Sequence, residues 1–97
     1  MLNQLGFQLE PADANYVRRI DSSYTGGLKI RSVRKGSPAD KALIKNGDIL
    51  VGLMEWQTPN WTDLDWILKS EKMRTARAPK FHIMRGKEVF WGTMELR

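Results

Sequence analysis

Residues 27–52, GLKIRSVRKGSPADKALIKNGDILVG, decide the fold because they contain a strand, a helix and a second strand in immediate succession. Leu28 and Ile30 alternate with basic residues, which is the period-two pattern of a half-buried strand. The alternation slips at Ser32, and we interpret the slip as a β-bulge. The apolar supply continues at Val33, so the first strand of this unit extends to that residue.

The helix of this unit is marked at both ends. Ser37–Asp40 places serine at the N-cap, proline at the first helical position and an acid at the third. Ala39, Ala42 and Leu43 supply one apolar face. The pair at 46–47, Asn-Gly, tolerates positive φ, so the chain turns there and the second strand begins.

The flanking segments add strands and one longer helix. Gln4–Glu10 alternates apolar and polar residues and ends at Pro11, while Tyr16–Ile20 is predicted to be a second strand of an edge hairpin. Ile49–Trp56 is predicted to be one strand, in which Gly52 marks a close backbone approach.

Beyond residue 60 the pattern becomes helical and then returns to strands. Trp61–Ser70 has apolar residues at helical spacing, with Asn60 or Thr62 as cap. Glu71–Pro79 has no clear period, which predicts a mobile connection. Lys80–Met84 and Glu88–Leu96 are predicted to form a closing hairpin around Gly86.

Composition excludes several classes of function. The chain has 97 residues, no cysteine and a single histidine, so neither a disulfide framework nor a thiolate or histidine-rich metal site is possible. No run of about eighteen apolar residues is present. The net charge of +5 invites a nucleic-acid role, but the basic residues alternate with apolar ones, as on the solvent face of a sheet.

The order of these elements resembles a PDZ domain, of the type carried by HtrA/Do-like, trypsin-fold bacterial serine proteases. The resemblance rests on Leu5-Gly6-Phe7, on Gly36-Ser37-Pro38-Ala39 followed by Gly47-Asp48-Ile49-Leu50, on the helix Thr62–Ser70 and on the final hairpin. It implies an α+β fold: a partly open antiparallel β-barrel or sandwich of five to six strands, capped by two helices. It also implies one PDZ domain over residues 1–97, with its core at about 4–96, excised from a larger protease. After Leu50 the sequence departs from the family, because Val51–Thr58 replaces the usual Asn-Gly turn.

The resemblance implies a peptide-binding module that adds an extended ligand as a further strand. The partners would be protein C-termini or exposed apolar segments, together with an attached protease domain. No cofactor, nucleic acid or membrane segment is expected, and the setting would be the periplasm or cell envelope. The implied carboxylate-binding loop is Gln4, Leu5, Gly6 and Phe7, and the implied groove residues are Gln8, Leu9, Trp61, Leu64, Asp65 and Leu68.

Alternatives stay open both for the groove residues and for the function. Leu64 and Leu68 fit a core position as well as a groove position, and Trp61 fits a cover for the sheet. A PDZ module that only scaffolds, or a small basic nucleic-acid-binding β domain, is compatible with the same residues. An enzyme is not expected from this stretch, because His82 lies in a predicted strand without a serine in a nucleophile elbow, and Ser37 is explained by helix capping.

Overall fold

A computed structural model describes residues 2–96 of the chain, so Met1 and Arg97 of the predicted 1–97 domain lie outside the described residues. Along the chain the elements are α1 (Leu2–Leu5), β1 (Phe7–Pro11), α2 (Ala14–Ile20), β2 (Leu28–Val33), α3 (Pro38–Lys41), β3 (Ile49–Leu53), β4 (Trp56–Gln57), α4 (Trp61–Lys69), α5 (Glu71–Thr75), β5 (Lys80–Arg85) and β6 (Glu88–Thr93).

The strands form one antiparallel sheet in the order β1-β2-β3-β5-β6, with the short β4 paired to β3 outside this path. The sheet is open rather than closed, because β1 and β6 occupy its two ends. This arrangement confirms the predicted α+β fold with six strands. The two predicted helices are present as α3 and α4, and α1, α2 and α5 are short additions to them.

Each face of the sheet buries its own apolar cluster. On one face, Leu5, Phe7 and Leu9 join residues of β2, β3 and β5 with Leu64 and Ile67 of α4. On the other face, Val17 of α2 packs with Ile49, Val51 and Met84. The first cluster therefore joins β1 to α4 on one face of the sheet. On the opposite face, α2 covers the centre of the sheet.

The central unit folds as its sequence predicts. The register between β1 and β2 slips so that Gln8 faces Ser32 while Leu9 faces Ile30, which leaves Arg31 as the extra residue of a bulge. The Ser37 Oγ accepts the Asp40 N–H at 3.2 Å, and an Asp40 carboxylate oxygen accepts the Gly36 N–H at 2.9 Å. This reciprocal cap fixes the start of α3 directly behind the end of β2.

The prediction of a strand at Tyr16–Ile20 is wrong, because this segment is helix α2. The Asp13 carboxylate accepts the Asn15 N–H at 2.9 Å and caps the helix, and the Val17 N–H bonds to the Asp13 carbonyl at 3.1 Å. Val17 is fully buried against Val51 and Met84. Burial of one face of this turn outweighs the strand preference of its β-branched and aromatic residues.

Two further segments differ from their predictions. The strand expected at Ile49–Trp56 breaks at Met54, whose φ is +61°, and β4 folds back so that Gln57 pairs with Gly52. The first strand begins only at Phe7, because Gln4 and Leu5 belong to α1.

The segment Glu71–Pro79, predicted as a mobile connection without a clear period, contains helix α5. The Ser70 Oγ accepts the Met73 N–H and caps this helix, and the Met73 side chain is fully buried in the main core. One buried methionine thus anchors a segment whose remaining side chains are mostly polar.

Candidate functional site

Strand β1 is one open edge of the sheet. Within residues 2–96 it pairs with β2 alone, so its other side carries unpaired main-chain groups. The Gly6 carbonyl accepts the Arg34 N–H at 2.7 Å and the Ala12 N–H bonds to the Gly27 carbonyl at 3.1 Å, so both residues face β2. Because successive residues of a strand point to alternate sides, Phe7 and Leu9 present their N–H and C=O groups to the open side.

The loop before this edge is shaped by Gly6, whose φ is +90°. A Cβ added at Gly6 would lie 2.1 Å from the Ser37 Cβ and 2.3 Å from its Oγ. Both the backbone conformation and the contact with the α3 cap therefore require glycine. The contact between the loop and Ser37 joins the predicted carboxylate-binding residues to the central unit, and the sequence alone did not reveal it.

Helix α4 packs into the same core cluster as β1 and has two different flanks. Asn60 caps it by accepting the Asp63 N–H at 2.9 Å, which confirms one of the two predicted caps. Leu64 and Ile67 point into the core. Trp66 lies edge-on to Trp56 of β4, with ring centroids 5.0 Å apart, so the flank carrying Trp66 faces β4.

The opposite flank carries Trp61, Asp65 and Leu68, one helical turn apart. Trp61 is 41% exposed, and Leu68 is half-buried against the cluster that contains Phe7 and Leu9. Asp65 is exposed and pairs with Lys69 at 2.9 Å, one turn further along the helix. The structure thus brings an apolar residue, a carboxylate and an indole to the flank that faces away from β4.

The predicted site residues divide by their exposure. Gln4 and Gln8 are exposed. Leu5 and Leu64 are fully buried, and Leu9 and Phe7 are 8% and 5% exposed, so these four side chains belong to the core beneath the edge. Leu68, Trp61 and Asp65 remain accessible beside it. The open main-chain edge of β1 and the accessible flank of α4 therefore share one apolar core cluster.

A second concavity, of about 840 Å³, lies away from this surface and was not predicted from the sequence. It runs between the β3–β4 turn and the connection from α5 to β5, with Gly52 and His82 in its floor. The His82 Nδ1 would lie 3.3 Å from a Cβ on Gly52, which confirms the predicted close approach at that glycine. Burial, aided by the charge of Lys80, lowers the pKa of His82, so its imidazole is neutral near pH 7.

Residues 2–96 were searched for groups of metal ligands and for helices long enough to cross a membrane. In the part of the chain that the structure describes, no three His, Cys, Asp or Glu residues are grouped closely enough to hold a metal ion. Across residues 2–96, no helix has the length and apolar character that spanning a bilayer requires.

Comparison with known proteins supports the fold. No family model matches the sequence, and no curated protein matches it. Among solved structures, the HtrA3 PDZ domain bound to a phage-derived ligand, FGRWV, is similar with a TM-score of 0.68 and 18% sequence identity. The match covers 94% of this chain and 81% of that domain. The chain therefore has the fold of a PDZ domain.

Proposed function

We propose that this chain is a peptide-binding PDZ module that captures C-terminal or exposed apolar segments of other proteins by strand addition. The observation that carries the proposal is the open edge of β1, which shares its apolar core with α4. On this edge the main-chain N–H and C=O groups of Phe7 and Leu9 point away from β2, where a peptide strand can pair with them. A peptide bound there would extend the sheet. Its last side chain would lie near Leu68, and its terminal carboxylate near the loop Leu5–Phe7.

The geometry of the loop supports recognition of a carboxylate without a dedicated cation. Leu5 ends α1 in helical conformation and Gly6 follows it at positive φ, so the consecutive N–H groups of this turn converge on one side of the chain. Such concave turns accept anions through main-chain dipoles. Trp61 offers an apolar surface to ligand residues upstream of the last one.

The wider setting of the module is part of the proposal. The likeness of its motifs to HtrA/Do-like serine proteases leads us to propose an attached protease domain, to which the module delivers damaged proteins or whose activity it regulates. A cell-envelope location follows from the same likeness. The module itself would supply binding and no catalytic group.

A titration of isotope-labelled protein with the peptide FGRWV tests the groove directly. We expect chemical-shift changes at Leu5–Leu9 and Trp61–Leu68, and an amidated peptide should bind at least about tenfold more weakly because it lacks the terminal charge. Absence of shifts at millimolar peptide would reject capture and favour a scaffolding module. Salt-sensitive binding of an oligonucleotide in place of peptide would favour the nucleic-acid alternative.

Two tryptophans on opposite flanks of α4 provide a matched pair of variants. Trp61→Ala should weaken FGRWV binding by roughly tenfold, because it removes the exposed indole on the flank facing away from β4. Trp66→Ala removes an indole of equal size that contacts Trp56, so peptide affinity should stay within about twofold of the parent. Equal effects of both variants would reject the assignment of the groove to the Trp61 flank.

A further inference from the structure

Strand β6 is the second open edge of the sheet, and it lacks the features that normally protect such edges. Within the described residues it pairs with β5 alone, in an unbroken register from Glu88 to Thr93. Its interior, Val89–Thr93, contains no charge, no proline and no bulge. Phe90 and Trp91 are 41% and 66% exposed on its two faces. Natural sheets rarely leave a regular apolar edge of this length unpaired.

The direction of the free main-chain groups on β6 follows from its hydrogen bonds. The Met94 N–H donates to the Pro79 carbonyl at 3.0 Å, so Met94 faces the β5 side. By alternation Gly92 and Phe90 face β5 as well, whereas Val89, Trp91 and Thr93 present their N–H and C=O groups outward. An added strand must therefore use these three residues.

The charged residues at the two ends of β6 indicate which partner strand, and which register, can pair with it. When β6 lies antiparallel to β6 of a second copy with Trp91 opposite Trp91, Val89 lies opposite Thr93 and Lys87 lies opposite Glu95. The outward groups of each pair then face one another, and both ends of the interface carry an exposed lysine opposite an exposed glutamate. The neighbouring registers with the correct group directions place Lys87 opposite Thr93 or Glu95 opposite Val89, and neither of these pairs opposite charges.

We propose that β6 is a homodimerisation edge, which pairs antiparallel with β6 of a second copy about a two-fold axis at Trp91. The two sheets become one continuous sheet, and a two-fold axis makes the interface self-complementary. The indole of Trp91, which carries the Lys80 ammonium 4.5 Å from its ring centroid, packs against its symmetry mate on one face. The two β1 edges stay open at the outer ends of this sheet, so the proposal is independent of peptide binding.

Sedimentation velocity of the chain from about 10 µM to about 1 mM tests the interface, because weak homodimers dissociate within this range. We expect reversible monomer–dimer exchange. Lys87→Glu and Glu95→Lys each place like charges opposite one another at both ends, so each should weaken dimerisation roughly fivefold. The double variant restores opposite charges and should return the dimer to within about twofold of the parent.

Two control variants distinguish the effect of the proposed strand register on dimerisation from effects of net charge and of misfolding. Lys35→Glu changes the net charge by the same amount as Lys87→Glu, at an exposed position after β2, which β3 and β5 separate from β6, and it should leave dimerisation unchanged. Val89→Pro removes an outward N–H and should abolish dimerisation, with retained folding checked by circular dichroism. The proposal is overturned if the chain is monomeric at every concentration, or if the double variant dimerises as weakly as the single variants. It is also overturned if FGRWV dissociates the dimer while the charge variants leave dimerisation unchanged.

Discussion

The two outer strands of the sheet, β1 and β6, share the same antiparallel pairing but differ in their surroundings. The side chains of Phe7 and Leu9 on β1 are buried in the core cluster that also contains Leu64 and Ile67 of α4, so this edge shares its core with a helix. The large side chains of β6, Phe90 and Trp91, are 41% and 66% exposed, in contrast to the buried pair on β1. An edge with a helical wall can select a narrow ligand, whereas an edge without one accepts a flat, regular partner.

The largest effect is expected at the loop that opens the β1 edge. Gly6→Ala combines an unfavourable positive φ with a clash against Ser37, so it should lower the free energy of unfolding by roughly 4 kcal/mol and abolish FGRWV binding. Denaturant unfolding and the peptide titration measure the two effects.

Gly36→Ala is the matched control, because Gly36 also has positive φ (+82°) but nothing lies within 4 Å of an added Cβ. Strain alone should cost about 1 kcal/mol there. Similar losses for both variants would contradict the role assigned to the contact between Gly6 and Ser37.

Proline substitution at the β6 edge distinguishes its two sets of main-chain groups. Phe90→Pro removes an N–H that faces β5 and should destabilise the fold by about 3 kcal/mol, from the lost hydrogen bond and from the buried part of a side chain that is 41% exposed. Val89→Pro removes an outward N–H and should cost about 1 kcal/mol. Thermal and denaturant unfolding measure the loss of stability in both variants. A larger loss for Val89→Pro than for Phe90→Pro would contradict the assignment of Val89 to the residues whose N–H groups face away from β5.

The two edges also differ in their ion pairs. Arg85, at the end of β5, donates from Nε and Nη2 to the buried carboxylate of Asp48 at 2.9 and 2.7 Å. Arg85→Ala should cost about 2 kcal/mol, because the buried Asp48 carboxylate loses two charged donor groups and keeps the Lys45 N–H. Arg31→Ala removes the exposed 3.6 Å pair with Glu10 beside β1 and should cost less than about 0.5 kcal/mol. Equal losses in chemical denaturation would show that burial of Asp48 does not set the difference.

The smallest effect concerns pH on the β6 side, where His82 pairs with Trp91. Because burial and Lys80 lower the pKa of His82 in the folded state, the unfolded chain binds the proton more readily, and stability falls as pH drops through the ordinary value of 6.5. His82→Gln should remove this part of the acid sensitivity. The chain has a single histidine, so one imidazole resonance reports the titration directly by NMR. A midpoint above 6.5 in the folded protein would reverse the sign and refute the prediction.

Sequence patterns predicted the elements whose signals are local. The unit 27–52, helix α4 and the closing hairpin each carry a cap, a turn glycine or a clear period, and each is confirmed. The edge position of β1 followed from the resemblance of these elements to a known fold, which the structural comparison supports.

The elements that escaped prediction depend on distant contacts. Helices α2 and α5 have seven and five residues, too few for intrinsic propensity to stabilise them, and each depends on a cap and one buried side chain, Val17 or Met73. The bond between Arg85 and Asp48 spans 37 positions, and the contact of Gly6 with Ser37 links two turns. The partners of these contacts lie too far apart in the chain for a local sequence pattern to contain both of them.

The position of Pro11 limits the length of peptide that can form main-chain hydrogen bonds with β1. Pro11 follows Phe7 and Leu9 in the outward-facing set, but it has no N–H to donate. A docked chain therefore meets only two outward amide donors along this strand, near its own terminus. We expect affinity to rise with ligand length over about the last four residues and then to level off, since further main-chain atoms pass a strand that has no donor left for them.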